Sequence, residues 1–160
     1  MRRKDRAVYD RAEISGILDQ CAVCRIAMVD GGRPYVVPMN FGYEWLGERL
    51  AIYLHCAGAG RKLDALREGP DVCFEADCAG RLTGAGDLAC AYSYAYQSVI
   101  AQGRAEELTD PGEKLRALRL LMRHLTGREG FVIAPEAAAR TTLLRVLCDE
   151  WAGKRNAADD

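Results

Sequence analysis

The sequence is poor in histidine and in net charge, and each shortage excludes a class of function. Only two histidines, His55 and His124, occur among the 160 residues, so a histidine-rich metal site is excluded. The formal net charge is −1 at pH 7, so no overall basic field favours nucleic acid or an anionic membrane. We therefore expect no resident metal and no nucleic-acid partner.

Long apolar runs are also missing. No stretch reaches the roughly 18 residues of a membrane-spanning helix. The basic stretch MRRKDRAVYDRAE is not followed by the apolar segment of a secretory signal. The seven cysteines are odd in number and scattered, which is typical of reduced thiols in the cytoplasm. We therefore expect a cytoplasmic protein without a membrane partner.

The residues that are present indicate one folded domain. Hydrophobic residues make up 49% of the chain and charged residues 28%, as in ordinary globular proteins. A chain of 160 residues is also long enough to bury a core. Residues 1–160 are therefore predicted to form a single domain, with a frayed polar tail after about residue 153.

Three main helices are predicted from capping signals and apolar spacing. Asp10 precedes the first helix, with a glutamate three positions later. Asp110 and Pro111 begin the longest helix, and Gly127 ends it. The remaining helix covers about residues 60–67, directly after the small-residue loop CAGAG.

The longest helix carries apolar residues at a spacing that predicts its buried face. Leu115, Leu118, Met122 and Leu125 form this stripe. His124 falls on the polar side near the C-terminal end of the helix, where a cation is favoured. We therefore expect His124 to have a structural role.

The rest of the chain predicts a mainly β fold. Turns of hairpin length join the early strands, so the sheet is expected to be antiparallel, and strands and helices do not alternate as in a doubly wound fold. Such a sheet tends to close into a barrel, because closure removes exposed edges. The six predicted strands cover residues 23–29, 33–45, 50–55, 71–77, 96–108 and 141–151, and residues 79–95 are predicted to be irregular.

Two residues inside these strands indicate local irregularity. Pro38 has no N–H group and interrupts a good strand beside Asn40, where the backbone would face a ligand instead of a neighbouring strand. Gly103 indicates a bulge or a close approach of another backbone segment.

Arg61 and Lys62 lie in the first turn of a helix, where the helix dipole disfavours cations. An anion at this point would explain them, because backbone N–H groups and both cations would converge on it. The loop CAGAG has no bulky side chain to block the approach, and His55 ends the preceding strand. Two solvated surface cations are the other interpretation, and the pattern leaves both open.

Cys21 and Cys24 form a C-x-x-C pair, a spacing found in metal half-sites and redox pairs. A structural zinc site needs four ligands, and no second such pair is present. The pair also lies at a helix-to-strand junction, unlike the strand-to-helix position of a thioredoxin-like motif. We therefore interpret it as two partly buried thiols.

Three stretches of the chain resemble the flavin-binding split-barrel superfamily, and they occur in the order expected for it. They are CAVCRIAMVDGGRPYVVPMNFGYEW, LHCAGAGRKLDAL and YQSVIAQGRAEEL. Within the superfamily the sequence is most similar to the nitroimidazole-resistance proteins, relatives of pyridoxamine 5′-phosphate oxidase. The resemblance implies an antiparallel split barrel and a homodimer that holds FMN at the subunit interface.

The resemblance also implies which residues contact the cofactor. Four residues of the strand YVVPMN lie against the flavin ring, two cations hold the phosphate, and a histidine and a serine lie beside the flavin. In chain order these residues are Val37, Pro38, Met39, Asn40, His55, Arg61, Lys62 and Ser98.

The activity implied is that of an FMN-dependent oxidoreductase. It would reduce nitroaromatic compounds such as 5-nitroimidazoles by hydride transfer from reduced flavin. His55 is the catalytic candidate, because an imidazole exchanges protons near neutral pH. It would donate a proton or orient the substrate; a hydrogen bond to the cofactor without proton transfer is the other interpretation.

Two further functions stay open at this point. One is a non-catalytic flavin- or haem-binding sensor or carrier, with His55 as an axial ligand. The other is a pyridoxamine 5′-phosphate oxidase-like enzyme. The C-terminal stretch CDEWAGKRNAADD does not show the basic pattern with which that oxidase holds its substrate.

Overall fold

The structure is a computed structural model that describes residues 3–78 and 80–156. Within these ranges the helices are α1 Arg11–Leu18, α2 Arg61–Glu68, α3 Pro111–Thr126 and α4 Pro135–Arg140. The strands are β1 Ala7–Val8, β2 Cys24–Asp30, β3 Arg33–Met39, β4 Gly42–Leu46, β5 Arg49–Cys56, β6 Asp71–Cys78, β7 Leu82–Thr83, β8 Ser93–Tyr94, β9 Tyr96–Glu107 and β10 Thr142–Asn156. In the same ranges, no helix has the length and apolar character needed to cross a membrane.

Eight strands form one antiparallel sheet. Seven follow the order β3-β2-β6-β9-β10-β5-β4, and β1 pairs with β10. Within the described residues β3 and β4 do not pair, so the sheet curls into a barrel that is split between them. The predicted class, a mainly β antiparallel split barrel with three main helices at its periphery, is confirmed. The strand count exceeds six because one predicted strand is divided and short strands are added.

The predicted strand over residues 33–45 is wrong as a single element. The chain leaves β3 at Asn40 and Phe41 and re-enters the sheet as β4, at the opposite end of the strand order. The Asn40 side chain donates from Nδ2 to the Ala22 carbonyl at 2.8 Å, and Phe41 is fully buried. These contacts turn the backbone out of the β3 ladder, which the alternating apolar pattern did not reveal.

The C-terminal strand is longer than predicted. β10 pairs with β9 as far as Asn156, opposite Tyr96, so a frayed tail that begins after residue 153 is wrong for residues 154–156. The cause is the length of β9, which presents backbone partners along its whole course. The remainder of the predicted tail, residues 157–160, lies outside the described residues.

Aspartate caps set the starts of α1 and α3 as the sequence predicts. The Glu13 N–H donates to the Asp10 carboxylate at 3.0 Å, and the Glu113 N–H donates to Asp110 at 2.8 Å. Gly127 ends α3 with φ of 65°, a conformation that glycine adopts without steric cost.

The predicted buried face of α3 is wrong. Ala117, Leu120 and Leu121 are the buried residues, whereas Leu125 is 40% exposed and the rest of the predicted stripe is only half-buried. The helix is rotated because it lies directly on Gly42, where an added Cβ would stand 2.6 Å from the Leu120 backbone. A side chain at position 42 would prevent this approach.

His124 does not lie on a solvated polar side of α3. Its ring centroid is 4.3 Å from that of Phe41, and its Nε2 is 2.8 Å from the Cys21 carbonyl oxygen. The residue is half-buried and ties α3 to the segment between α1 and β2. Its contacts are structural, but its predicted exposure is wrong because the helix is rotated towards β4.

The irregularity predicted at Gly103 is confirmed. Gly103 pairs with Cys148, and the register between β9 and β10 shifts directly after that pair, between Cys148 and Glu150. A Cβ at position 103 would stand 2.7 Å from the Cys148 Cα, so only glycine fits beside the bulge. The bulge bends β10, the strand that pairs with both β9 and β5.

Burial keeps several thiols of the barrel protonated. Cys24 and Cys148 are fully buried, and burial raises the pKa of each thiol to about 12 from an ordinary value of 9.0. Neither thiol is therefore expected to react as a thiolate at neutral pH.

Replacing Gly103 with alanine should destabilise the fold by about 1–3 kcal/mol, because the new Cβ overlaps the β10 backbone. Gly16 is the matched control: it lies in α1 with no atom within 4 Å of an added Cβ. Gly16→Ala should stabilise the protein by about 0.5–1 kcal/mol. Urea unfolding measures both, and equal stability of the two variants would contradict the assigned bulge.

Stability should fall as the pH rises above about 9. In the unfolded chain the thiols of Cys24 and Cys148 ionise near pH 9, whereas in the folded protein they stay neutral up to about pH 12. Within that window each thiol removes about 1.4 kcal/mol of stability per pH unit, and below it neither contributes. Cys148→Ala should reduce the slope of the unfolding free energy against pH by about 1.4 kcal/mol per pH unit. Cys90→Ala, which removes an exposed thiol, should leave that slope unchanged.

Candidate functional site

The open edge of β3 forms the first part of the candidate site. β3 pairs with β2 along its length, and within the described ranges no strand lies on its other side. Pro34 and Pro38 fit this edge because neither has an N–H group to lose from a ladder. Since N–H directions alternate along a strand, Val36 between them also presents its N–H and C=O to the open edge. A strand start, an edge or an irregular stretch would each suit these prolines, and the structure places Pro38 on an edge.

The predicted ring-contacting residues of this segment divide into two sets. Met39 is buried, and the partly buried Val37 packs against the barrel core. Pro38 faces outward and is exposed. Asn40 is exposed, although its Nδ2 is occupied by the Ala22 carbonyl. A ligand on this edge therefore meets Pro38, the Asn40 side-chain oxygen and backbone groups, whereas the side chains of Val37 and Met39 lie behind it.

The start of α2 forms the second part of the site. Its N-cap is Gly60, with φ of 129°, and no side chain caps the first turn. The backbone N–H groups of Arg61 and Lys62 have no hydrogen-bond partner among the residues that the structure describes. Space above Gly60 is open, because no atom lies within 4 Å of an added Cβ. Of the three longer helices, α2 alone begins without a side-chain cap.

The two predicted phosphate ligands differ in their partners. The Arg61 Nε donates to Asp30 Oδ2 at 2.6 Å, and its guanidinium lies 4.2 Å from the centroid of the Tyr35 ring. Lys62 is half-buried and forms no hydrogen bond or ion pair with the described residues. Burial raises the pKa of the neighbouring Cys56 thiol, and the charge of Lys62 opposes this effect. Lys62 is thus the available cation of the pair.

Asp30 and Tyr35 are site residues that the sequence did not indicate. Asp30 ends β2 at the turn DGG, which predicted only a hairpin. Tyr35 follows on β3 and partly packs on the core. Together they anchor Arg61 and thereby join the start of α2 to the β2–β3 hairpin. The contact links residues 31 positions apart, and no local pattern predicts such a pairing.

His55 pairs with Leu143 of β10 through its backbone near the end of β5, and its exposed side chain forms no hydrogen bond with the described part of the chain. Side chains alternate along a strand, and Leu54 points into the barrel core. His55 therefore lies on the opposite face of β5 from the barrel interior. The four-residue loop 57–60 separates its strand from α2, so His55 and Lys62 flank the same loop without contact.

Ser98 is not brought next to the other predicted residues within one chain. Pro38 on β3 pairs with Arg25, Arg25 with Glu75 and Glu75 with Ile100, two residues from Ser98 on β9. Three strand spacings, roughly 14 Å along the sheet, therefore separate β9 from β3. Ser98 lines a separate shallow groove of about 360 Å³.

The C-x-x-C pair does not act as a unit. Cys21 and Cys24 are both buried and free, and within residues 3–78 and 80–156 no group of three or more His, Cys, Asp or Glu is placed to hold a metal ion. The thiol next to Cys21 belongs to Cys78, at 3.1 Å, and not to its neighbour in sequence.

Comparisons with known proteins agree with this architecture. The family model described as pyridoxamine 5′-phosphate oxidase matches residues 10–155. None of the curated protein sequences compared gives a significant match.

Several solved structures are similar over most of the chain. A candidate 5-nitroimidazole antibiotic resistance protein from Bacteroides thetaiotaomicron is 33% identical, with a TM-score of 0.78 over 93% of this chain and 86% of that one. A flavocytochrome from Azotobacter vinelandii is 28% identical, with a TM-score of 0.76 over 100% of this chain and 75% of the flavocytochrome. An FAD-binding protein from Mesorhizobium loti is 26% identical, with a TM-score of 0.64 over 95% of this chain and 98% of that protein.

The family match and the fold lead to the same assignment. The match extends from the capping residue of α1 to one residue before the end of β10, so it includes the seven strands from β3 to β4 in the strand order and every element of the site. The chain therefore belongs to the pyridoxamine 5′-phosphate oxidase family of the flavin-binding split-barrel superfamily, as its sequence predicts.

Proposed function

We propose that this protein is an FMN-dependent oxidoreductase that reduces nitroaromatic compounds such as 5-nitroimidazoles. The observation that carries the proposal is the uncapped start of α2, with the unpaired Lys62 beside it. A helix start of this kind favours a phosphate, because free N–H groups and the helix dipole both attract negative charge. The similarity to the resistance protein, over 93% of this chain, supports the substrate class.

The residues around this helix fit FMN. Lys62 and the first N–H groups of α2 would hold the phosphate, with Arg61 held beside it by Asp30. The flavin ring would lie along the edge of β3, where backbone groups near Pro38 are open. When bound, FMN supplies hydride transfer; the protein supplies binding and orientation.

His55 is the proposed proton donor or positioning group for the substrate. It is exposed beside the loop that leads to α2, and no described side chain occupies its ring nitrogens. An imidazole in this position holds a proton at one ring nitrogen and transfers or shares it with a substrate oxygen.

We propose that the protein is a homodimer with the cofactor at its interface. Exposed apolar side chains lie on the outer face of the sheet: Val29 is 59% exposed, Val36 57% and Ile100 50%. Ser98 faces the same side of the sheet, too far from β3 to share a small ligand within one chain. A second copy on this face would bury the apolar residues and complete the site. Static light scattering distinguishes monomer from dimer.

A flavin- and haem-binding protein is the second candidate. The flavocytochrome relative, 28% identical and aligned over the whole chain, favours it, and the unpartnered His55 would be the axial ligand. The visible spectrum of the purified protein separates the candidates. A Soret band favours the second, and flavin absorbance alone favours the first.

A pyridoxamine 5′-phosphate oxidase-like activity has less support. The two basic residues near the C-terminal end of the last strand are already engaged: Arg155 bonds to Gln97 at 2.8 Å and to Glu13 at 3.0 Å, and the Lys154 ammonium lies 5.4 Å from the Tyr96 ring centroid. Oxidation of pyridoxine phosphate by the FMN-loaded protein would revive this candidate.

Lys62→Ala should weaken FMN binding about 10- to 100-fold, because a charge-assisted hydrogen bond to the phosphate is lost. Fluorescence titration of the apoprotein with FMN measures the Kd. Arg67→Ala removes a cation from the last turn of the same helix and is the matched control. Equal Kd values for Lys62→Ala and Arg67→Ala would reject the phosphate assignment.

His55→Gln should lower the rate of nitro-group reduction about 100-fold while leaving the FMN Kd within about twofold, if His55 transfers a proton. Anaerobic stopped-flow mixing of dithionite-reduced, FMN-loaded protein with a 5-nitroimidazole measures the rate directly. A weakened FMN Kd with an unchanged rate would identify His55 as a cofactor contact instead. Free reduced FMN is the baseline against which both rates are compared.

A further inference from the structure

We propose that Cys21 and Cys78 form a reversible disulfide under oxidising conditions and that this pair is a redox modification site of the protein. The two cysteines lie 57 residues apart in the sequence, and their Sγ atoms are 3.1 Å apart in the fold. The proposal concerns the polypeptide alone and does not depend on the proposed flavin activity.

The geometry of the pair requires little movement. Cys21 lies just after α1, and Cys78 is the last residue of β6. A disulfide has a sulfur–sulfur length of about 2.05 Å, so the two atoms need to approach by about 1 Å. Both residues lie next to element ends, where small adjustments of side-chain torsion and backbone are tolerated.

The carbonyl that both thiols contact would keep a hydrogen-bond partner after the change. Both thiols donate to the Ile17 carbonyl, from Cys21 at 3.2 Å and from Cys78 at 3.4 Å. That carbonyl also accepts from the Gln20 N–H at 3.1 Å. Loss of the two S–H donors therefore leaves no buried acceptor without a partner, and oxidation has no large penalty in hydrogen bonding.

Exposure indicates which sulfur reacts first. Cys78 is half-buried, whereas Cys21 is only 3% exposed, so a small oxidant reaches Cys78. Burial also raises the pKa of the Cys21 thiol, which disfavours its direct oxidation. Cys78 is thus the attacking sulfur and Cys21 the resolving one.

Hydrogen peroxide is the oxidant of the proposed reaction. The Cys78 sulfur attacks one peroxide oxygen; the O–O bond breaks, a sulfenic acid forms and one water leaves. The Cys21 sulfur then attacks the Cys78 sulfur; the S–O bond breaks, and the departing hydroxide takes the Cys21 proton as a second water. In total two thiols lose two electrons, and one peroxide becomes two waters.

The disulfide would join the segment after α1 to the end of β6, just before residues 80–95, which contain β7 and β8 where the sequence predicted irregular structure. It would close a long loop of chain, which restricts the unfolded state and raises the Tm by roughly 5–15 °C. A thiol such as dithiothreitol should reverse the shift.

Peptide mass spectrometry of alkylated, non-reduced protein tests the pairing. Cys24 shares a tryptic peptide with Cys21, and Cys73 shares one with Cys78. The double variant Cys24→Ala/Cys73→Ala is therefore the matched control, because a linked mass then identifies the 21–78 pair alone. We expect this mass after peroxide treatment of wild type and control, together with the Tm increase.

Single variants give the second test. Cys21→Ala should accumulate a sulfenic acid at Cys78 that dimedone traps, and Cys78→Ala should show neither the linked mass nor the Tm shift. Cys90 is exposed and reports that the oxidant has acted. The proposal is overturned if Cys90 is oxidised while Cys21 and Cys78 stay separately alkylated, or if the linkage joins any other pair.

Discussion

The fold depends on the buried ring of Phe41, at the point where the chain crosses from β3 to β4. Phe41 is fully buried, and its ring centroid lies 5.4 Å from that of Phe74 and 4.3 Å from that of His124. His124 in turn bonds to the Cys21 carbonyl, so one cluster joins both ends of the strand order, α3 and the segment after α1. Because this crossing divides one strand into two, β3 becomes an open edge, and the candidate site exists there.

The electrostatics of the site depend on what caps each helix. Asp10 and Asp110 neutralise the starts of α1 and α3, whereas α2 begins at Gly60 with no side-chain acceptor. Asp30 and Tyr35 fix the guanidinium of Arg61, which leaves Lys62 as the cation of the pair that has no partner among the described residues. A half-buried lysine with no acidic partner in residues 3–78 and 80–156 favours an external anion, which supports the phosphate role proposed for this helix start.

The thiols show that similar residues have different chemistry in different surroundings. Cys24 and Cys148 lie inside the barrel, where burial keeps them protonated and inert. Cys21 and Cys78 lie at element ends, in contact with each other and with one carbonyl. Such a pair is compatible with the expected reduced thiols, because in the reduced form both S–H groups already form hydrogen bonds. The disulfide bond is added only on oxidation.

The sequence by itself determined the features that depend on neighbouring residues. These are the aspartate caps, the glycine that ends α3 and the irregularity at Gly103, and with the ordered motifs they sufficed for the fold class and the family. Tertiary structure alone decided the break at Phe41, the face of α3 that is buried, the Arg61–Asp30 pairing and the choice of Cys78 as the partner of Cys21. The physical reason is range: capping and turn preferences act within a few residues, whereas these contacts join residues 31 to 103 positions apart, and only the packed barrel brings them together.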